Sequence, residues 1–428
     1  MTLVDLSTLQ SFVKSFTSRD EFIKFILQNG ILYTLDETLG LMILRYNREN
    51  PDCNFNDPFT RFCRGMILDS ENNVVCLPPE KHIPLENLEY QSFSQLHIED
   101  FIDGTMINVF YYADQWHLAT RSKIGANGNW FSKKKFSDMF SEAKGNLDFD
   151  KFEKNYTYTF VLRHPENRIV TQYETADLVL VQVRNMNTFH IENTNMVKNV
   201  LQDRGIDVIT PVVYNFTDME HLDTYLSQLH WQQQGVVIKF GNFRSKVRNQ
   251  KYEHVKSMRG NTPHKLYCYL ELKQNKMIKE YLQYFPEMET EFKMYWQQLS
   301  NMTRLLHQTY MNYRVKKIIG SESVPFELRP LIYELHGHHI KSGIKITPDF
   351  VNSYFYALPI KKIIFVVNYQ KNQTQQKILS MEESPGSEIK NKDKDKDKEL
   401  ISSTVSEIVG EMIEKAVEQA TALKVATQ

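Results

Sequence analysis

The stretch FIDGTMINVFYY, residues 101–112, decides the fold of this chain. Its second part, Thr105–Tyr112, is rich in β-branched and aromatic residues and predicts a strand. The residues before Phe101 also have the pattern of a strand. We therefore expect the rest of the chain to be organised around this strand and the segment that leads into it.

Short strands are predicted on both sides of this stretch. Residues 61–69 and 74–76 form a predicted hairpin around the turn Ser70-Glu71-Asn72-Asn73. Further strands are predicted over 115–120, 130–140, 156–162, 178–183 and 235–240. Helices are predicted over most of 1–50, over 193–204 and 218–229, and from 252 to about 319, with another over 330–336. This order indicates an α+β fold with antiparallel sheets, followed by an all-α C-terminal domain.

The sequence predicts four parts. Residues 1–254 form the strand-rich domain, and residues 255–370 form the helical one. Residues 371–398 contain Pro385-Gly386-Ser387 and alternating lysine and aspartate, which is typical of a disordered charged linker. Residues 399–428 carry apolar residues on one face of a short amphipathic helix. That helix either docks on its own chain or binds a partner, and self-association through 399–424 is one such role.

The composition limits the function classes. Of the 428 residues, 41% are hydrophobic, which is ample for a buried core. The net charge is -1, and the tail from Lys371 holds nine lysines against eleven acidic residues, so the body is near +1. Any affinity for nucleic acid must therefore come from local basic patches.

The termini and the cysteines suggest an ordinary intracellular chain. The first residues lack a basic segment followed by an apolar one, and we expect neither a signal peptide nor a membrane span. The four cysteines show no Cys-x-x-Cys spacing. The expected location is the cytoplasm, or a virion if the source is a virus.

Metal sites are not expected from the histidines and cysteines. His336, His338 and His339 lack further ligands nearby in sequence, so a surface turn around Gly337 is the simpler interpretation. Cys63 and Cys76 alternate with apolar residues and are predicted to be buried in a sheet.

Six short blocks occur in order between residues 55 and 256. They are Arg61-Phe62-Cys63-Arg64-Gly65-Met66, Asp103-Gly104, Arg121-Ser122-Lys123 with Gly125, His164-Pro165-Glu166-Asn167-Arg168-Ile169-Val170, Gln234-Gly235-Val236-Val237-Ile238-Lys239, and Lys246-Val247-Arg248-Asn249-Gln250-Lys251-Tyr252.

Together these blocks resemble the motifs of ATP-dependent RNA ligases of the bacteriophage RNA ligase 1 type, a nucleotidyltransferase family with an ATP-grasp-like ligase fold. The resemblance implies an antiparallel-sheet domain, Mg²⁺, and end joining through a covalent lysyl-AMP. It also implies that the nucleotide and its phosphates are bound by Arg64, Asp103, Gly104, Lys123, Lys239, Lys246 and Arg248.

Three catalytic positions depart from the family pattern, and Arg248 replaces the second lysine of the fifth motif, keeping its charge but not its shape. Phe101 stands where the family has its nucleophilic lysine, and phenylalanine cannot form a phosphoramidate. Val161 and Gln234 stand where the family has the glutamates of its third and fourth motifs. Valine offers no ligand to a metal ion, and glutamine brings no negative charge. A substitute nucleophile would have to come from Lys123, Lys239 or Lys246.

Basic residues concentrate near the fifth motif, and aromatic residues lie among them. Phosphate neutralisation combined with base stacking is the physics of single-stranded RNA binding, which points to Lys246, Arg248, Lys251 and Tyr252. A solvated charged face remains the alternative.

Two functional hypotheses follow. The first is an RNA ligase that uses ATP and Mg²⁺ but cannot form lysyl-AMP at residue 101. The second is a pseudoenzyme without cofactors that binds RNA or nucleotides, or scaffolds a partner through its tail. The expected partner in either case is RNA, single-stranded or tRNA-like.

Overall fold

The computed structural model describes residues 6–369, except the side chain of Ser7. The chain divides into two compact units, Met1–Val366 and Val367–Gln428, and only residues 367–369 of the second are described. The predicted linker 371–398 and tail helix 399–428 lie outside the described residues. The boundary expected at residue 254 falls inside the first unit and stays a prediction.

The strands fall in the first two thirds of the chain. Their bounds are β1 Ile31–Asp36, β2 Leu41–Tyr46, β3 Arg64–Leu68, β4 Val74–Cys76, β5 His97–Asp100, β6 Thr105–Tyr112, β7 Gln115–Ala119, β8 Tyr156–Arg163, β9 Asp177–Asn185, β10 Ile191–Glu192, β11 Val213–Tyr214, β12 Gly235–Phe240 and β13 Phe243–Arg248.

The strands form three sheets, and all pairs of named strands are antiparallel. The first sheet has the order β1-β2-β3-β4, the second β10-β9-β8-β6-β7, and the third β11-β5-β12-β13. The α+β class with antiparallel sheets is confirmed.

Helices pack around the sheets and then make up the C-terminal part of the described chain. They are α1 Leu9–Lys14, α2 Arg19–Gln28, α3 Pro58–Phe62, α4 Phe136–Ala143, α5 Thr194–Asp203, α6 Met219–Gln228, α7 Gln250–Arg259, α8 Lys265–Gln274, α9 Ile278–Tyr284, α10 Glu289–Tyr310, α11 Arg329–Ser342 and α12 Pro348–Ala357. The helical character predicted beyond residue 252 is confirmed.

Each sheet packs against helices in an apolar cluster, and the first and second sheets also share a cluster that contains Ile67 and Phe110. Phe12, Phe22 and Phe59 pack α1 and α2 against the first sheet. Phe140 and Leu201 belong to the core that joins α4 and α5 to the second sheet. The third sheet packs against α6 in a separate cluster, Leu88, Ile98, Leu222, Leu226, Leu229, Val236 and Ile238.

The stretch that begins at Phe101 connects two sheets. β5 belongs to the third sheet and β6 to the second, so residues 101–104 carry the chain from one to the other. The Phe101 N–H donates to the Gly235 carbonyl at 3.0 Å, which holds the connection on β12. The space between the two sheets opens at this junction.

Three sequence predictions were wrong in detail. Residues 130–140 are not a strand: Phe136, Met139 and Phe140 are buried on one face of α4, at the spacing of a helix. Residues 31–46 form the β1–β2 hairpin rather than helix, because Leu41–Tyr46 is a short, almost fully buried apolar run. The three histidines lie within α11 rather than in a turn.

Among the described residues, no single helix is both long enough and apolar enough to cross a membrane. One bent pair, Pro348–Ala357 and Ile360–Tyr369, meets those criteria only when its two helices are taken together.

Candidate functional site

An open cavity of about 850 Å³ lies at the junction between the second and third sheets. Residues 101–106 line one side of it, and side chains from β8, β9, β12, β13 and α7 line the others. We call this cavity the junction pocket.

The junction pocket is strongly cationic. Eight basic side chains line it against four acidic ones, although the whole chain is nearly neutral. The basic residues are Arg48, Arg64, Arg121, Lys239, Arg244, Lys246, Arg248 and Lys256. The acidic residues are Glu99, Asp100, Asp103 and Glu253.

Lys246 on β13 lies over the junction. Its Nζ is 4.3 Å from the centroid of the Phe101 ring. Within the described part of the chain, no carboxylate pairs with this ammonium. Burial, reinforced by the positive charges of Arg244 and Arg64, lowers the pKa of Lys246 to about 5. This amine is therefore mostly neutral at pH 7 as long as no anion lies beside it.

Two arginines are fixed by backbone carbonyls of the loop after β4. Arg64 donates through Nη1 to the Pro79 carbonyl at 3.1 Å, and Arg244 donates through Nη2 to the Glu80 carbonyl at 2.6 Å. Burial and the nearby charge of Arg244 lower the pKa of Arg64 to about 10. Both guanidinium groups stay charged at neutral pH, and neither forms an ion pair among residues 6–369.

The four acidic side chains already have partners. Glu99 pairs with Lys239 at 2.5 Å, and Glu253 pairs with Arg248 at 2.9 Å. Asp100 accepts from the Tyr214 hydroxyl at 2.7 Å. Asp103 accepts the backbone N–H groups of residues 170 and 171 through Oδ2, at 3.0 and 2.9 Å. The cations without a carboxylate partner are therefore the ones left for an anionic ligand.

The three positions that depart from the family pattern lie together in the junction pocket. Phe101, Val161 and Gln234 all line it. Gly104 also lines it, at φ +151°, and a Cβ there would overlap the Leu162 carbonyl oxygen and the Val161 side chain. Gly104 and the three neutral side chains at positions 101, 161 and 234 therefore meet in one cavity.

Most of the residues predicted to bind the nucleotide and its phosphates line the junction pocket, but Lys123 does not. Arg64, Asp103, Lys239, Lys246 and Arg248 line it. Lys123 is exposed and is not among the lining residues.

Two of the residues predicted to bind RNA lie elsewhere. Lys251 is turned towards α6, where its Nζ donates to the Ser227 carbonyl at 2.9 Å. Tyr252 is fully buried, so it offers no ring face for a base to stack on. Burial and the adjacent Asp103 carboxylate raise its pKa far above the ordinary tyrosine value.

Two lining residues had no signal in the sequence. Arg48 follows β2 in a segment without a motif, and only the fold brings it beside Arg121, since both guanidinium groups lie 5.7 Å from the Tyr46 ring. Gln182 on β9 is 1% exposed, and neither amide atom has a hydrogen-bond partner among the described residues.

The residues present do not suit a divalent metal ion. Val161 and Gln234 replace the expected carboxylates, and the remaining carboxylates are engaged as described. Elsewhere in the described chain, Glu142, His164 and Glu166 converge within 4.8 Å. There the Lys134 ammonium already pairs with both glutamates, at 3.0 and 2.5 Å.

No family model matches the chain. Two curated viral proteins do. An RNA ligase of Rhodothermus phage RM378 is 24% identical over 41% of this chain and 47% of its own length. A protein of Autographa californica nuclear polyhedrosis virus, named "Putative bifunctional polynucleotide kinase/RNA ligase", is 25% identical over 60% of this chain and 39% of its own. The chain is therefore similar in sequence to two viral proteins whose names both include RNA ligase.

This chain spans less than half the length of either viral relative. An archaeal ATP-dependent RNA ligase structure covers 91% of this chain and 87% of its own, at 12% identity and a TM-score of 0.41. A score below 0.5 is too low for an argument from shape, so the similarity to RNA ligases is one of sequence, to the two viral proteins.

Proposed function

We propose that this chain is an RNA ligase family member that binds the terminal phosphates of ATP or of an RNA end in the junction pocket, without forming a covalent adduct at residue 101. The observation that carries this proposal is the meeting of eight basic side chains in the pocket that Phe101 lines. Anionic phosphate is the ligand that such a surface favours, since each phosphate neutralises cations that otherwise repel one another.

The absence of covalent chemistry at residue 101 follows from the side chain. The phenylalanine ring has no atom that attacks phosphorus, and the neighbouring neutral residues Val161 and Gln234 do not supply charge for a metal ion. What this chain's own residues can do is neutralise and orient phosphate. RNA, expected from the family resemblance and the viral relatives, is proposed as the macromolecular ligand.

A second candidate is ATP-dependent RNA end joining with Lys246 as the nucleophile. The favouring observation is the position of its Nζ, 4.3 Å from the ring centre of Phe101 and without a carboxylate partner in the described chain. In that reaction a bond from Nζ to the α-phosphorus forms, the bond to pyrophosphate breaks, and the amine proton passes to solvent.

Intact-protein mass spectrometry separates the two candidates. The full chain is incubated with ATP and Mg²⁺ beside an active ligase, and ATP binding is measured in parallel by equilibrium dialysis. Our proposal expects bound ATP and no change in mass. A mass increase of one AMP that disappears in Lys246→Met would establish the second candidate instead. Absence of binding by both ATP and 5′-phosphorylated RNA would overturn the proposal.

A further inference from the structure

We infer that the junction pocket holds the phosphates of its ligand with this chain's own cations and without a divalent metal ion, and that Lys246 takes up a proton when the ligand binds. This inference rests on the proposed phosphate-binding function and specifies how the pocket achieves it.

The carboxylates of the junction pocket neutralise only part of its positive charge. Glu99 neutralises Lys239, and Glu253 neutralises Arg248. The other six basic residues that line the pocket remain without a carboxylate in an ion pair among the described residues: Arg48, Arg64, Arg121, Arg244, Lys246 and Lys256. A ligand that arrives as a metal complex carries less negative charge than the free polyphosphate, so it gains less from these cations.

The oxygen ligands that the junction pocket could offer to a magnesium ion are limited. A magnesium ion needs oxygen ligands in near-octahedral geometry and is usually held by one or two carboxylates together with phosphate oxygens. Asp103 uses Oδ2 to hold the backbone at residues 170 and 171, and Asp100 accepts from Tyr214. With valine and glutamine at positions 161 and 234, every carboxylate that lines the pocket already has a polar partner. Among the described lining residues, Glu253 Oε1 is the one buried carboxylate oxygen without a hydrogen bond, and the Oε2 of the same carboxylate pairs with Arg248.

The surroundings of Lys246 disfavour the protonated form of its side chain in the free protein. Lys246 is faced by basic residues from three elements besides its own strand: Arg64 of β3, Lys256 of α7 and His82 of the loop after β4. On β13 itself it is flanked by Arg244 and Arg248. Burial and the positive charges of these arginines and of Lys256 lower the pKa of Lys246 to about 5. Burial above all lowers the pKa of His82 to about 3.

An anion in the pocket has the opposite effect on the pKa of Lys246. A phosphate beside Nζ favours the charged ammonium, so the pKa of Lys246 rises in the complex. Lys246 therefore has a lower pKa in the free protein than in the complex. Between the free and bound pKa values the complex holds one more proton than the free components, so binding weakens as the pH rises.

The test is ATP binding by equilibrium dialysis to the full chain, with EDTA or with Mg²⁺, at several pH values above 7. Phosphate groups, with a second pKa of about 6, are already ionised in that range. We expect binding in EDTA at least as tight as in Mg²⁺, and a dissociation constant that rises up to about tenfold per pH unit. Lys246→Met is expected to bind more weakly at pH 7 and to lose this pH dependence.

His82→Gln is the matched control, because His82 also has a lowered pKa but does not line the pocket. It is expected to keep the pH dependence. Loss of the dependence in His82→Gln with its retention in Lys246→Met would place the proton on His82 and overturn the assignment to Lys246. Thermal melting of each variant establishes that it folds.

An RNA with a 5′-phosphate and the same RNA with a 5′-hydroxyl, both in EDTA, distinguish the source of the phosphate. A preference for the phosphorylated RNA would identify an RNA end as a ligand, whereas binding of ATP alone would identify a nucleotide. Binding that requires Mg²⁺, or that shows no pH dependence attributable to Lys246, would overturn this inference and leave the proposed function intact. If neither ATP nor either RNA bound under any of these conditions, both this inference and the proposed function would be wrong.

Discussion

The Lys246 Nζ lies 4.3 Å from the ring centre of Phe101. When Lys246 is protonated, the aromatic face attracts its charge by about 0.5–2 kcal/mol, which partly offsets the repulsion from the surrounding arginines. Position 101 therefore supports a basic side chain from the facing strand instead of supplying one itself. This relationship distinguishes the junction pocket from one built for a lysine at residue 101.

Restoring the lysine alone is predicted to be insufficient for self-adenylylation. Phe101→Lys places a second amine beside Lys246 but leaves Val161 and Gln234 neutral. We expect no AMP adduct in Phe101→Lys and an adduct when Val161→Glu and Gln234→Glu are added, measured by intact mass with ATP and Mg²⁺. An adduct in the single variant would show that metal-binding carboxylates at positions 161 and 234 are not needed.

The salt dependence of RNA binding is predicted to separate Lys246 and Arg248 from Lys251. Reversing both pocket charges, with Lys246→Glu and Arg248→Glu, should weaken single-stranded RNA binding and flatten the plot of log K against log salt by about 0.7 per lost phosphate contact.

Lys251→Glu is the control for that experiment. Its ammonium donates to the backbone carbonyls of Ser227 and Leu229 rather than to the pocket. RNA affinity is expected to stay nearly unchanged. A loss equal to that of the double variant would move the RNA surface away from the junction pocket and back to the patch predicted from sequence. Lys246→Met with Arg248→Met repeats the measurement without introducing negative charge.

The sequence predicted the junction but only part of the pocket. Residues 101–104 and the fifth-motif cations are contiguous in sequence, so local pattern identified them. Arg48 follows a strand of the first sheet and Gln182 lies on a strand of the second, and only the packing of the sheets brings them to one cavity. Lys251 lies outside the pocket because neighbouring residues at the start of α7 point in different directions, and a run of basic residues in the sequence does not show which face each occupies.

The buried ion pair behind the pocket is predicted to be essential for stability. Arg184 donates to Glu80 at 3.1 Å, and both side chains are almost fully buried. Arg184→Met leaves the Glu80 carboxylate unpaired, which should lower the free energy of unfolding by about 3–5 kcal/mol. Denaturant titration measures this change in the free energy of unfolding.

The exposed pair Arg204–Glu153 provides the comparison for that variant. Arg204→Met should lower the free energy of unfolding far less than Arg184→Met, because an exposed ion pair contributes little to stability. Equal losses in the two variants would indicate that the Glu80 carboxylate is not held as a buried charge. Because the Glu80 carbonyl also accepts from Arg244, weaker ATP binding is expected in any folded fraction of Arg184→Met.

Gly104→Ala is predicted to destabilise the fold at the junction itself. The residue has φ +151°, and an added Cβ would overlap the Leu162 carbonyl oxygen on β8. Backbone strain of this kind costs about 1–3 kcal/mol before any clash is counted. Gly128→Ala is the matched control, since nothing lies within 4 Å of a Cβ built there. We expect a clear fall in melting temperature for the first variant and almost none for the second. If Gly104→Ala melted like the wild type, the close approach of the junction to β8, and with it the placement of Phe101 beneath Lys246, would be wrong.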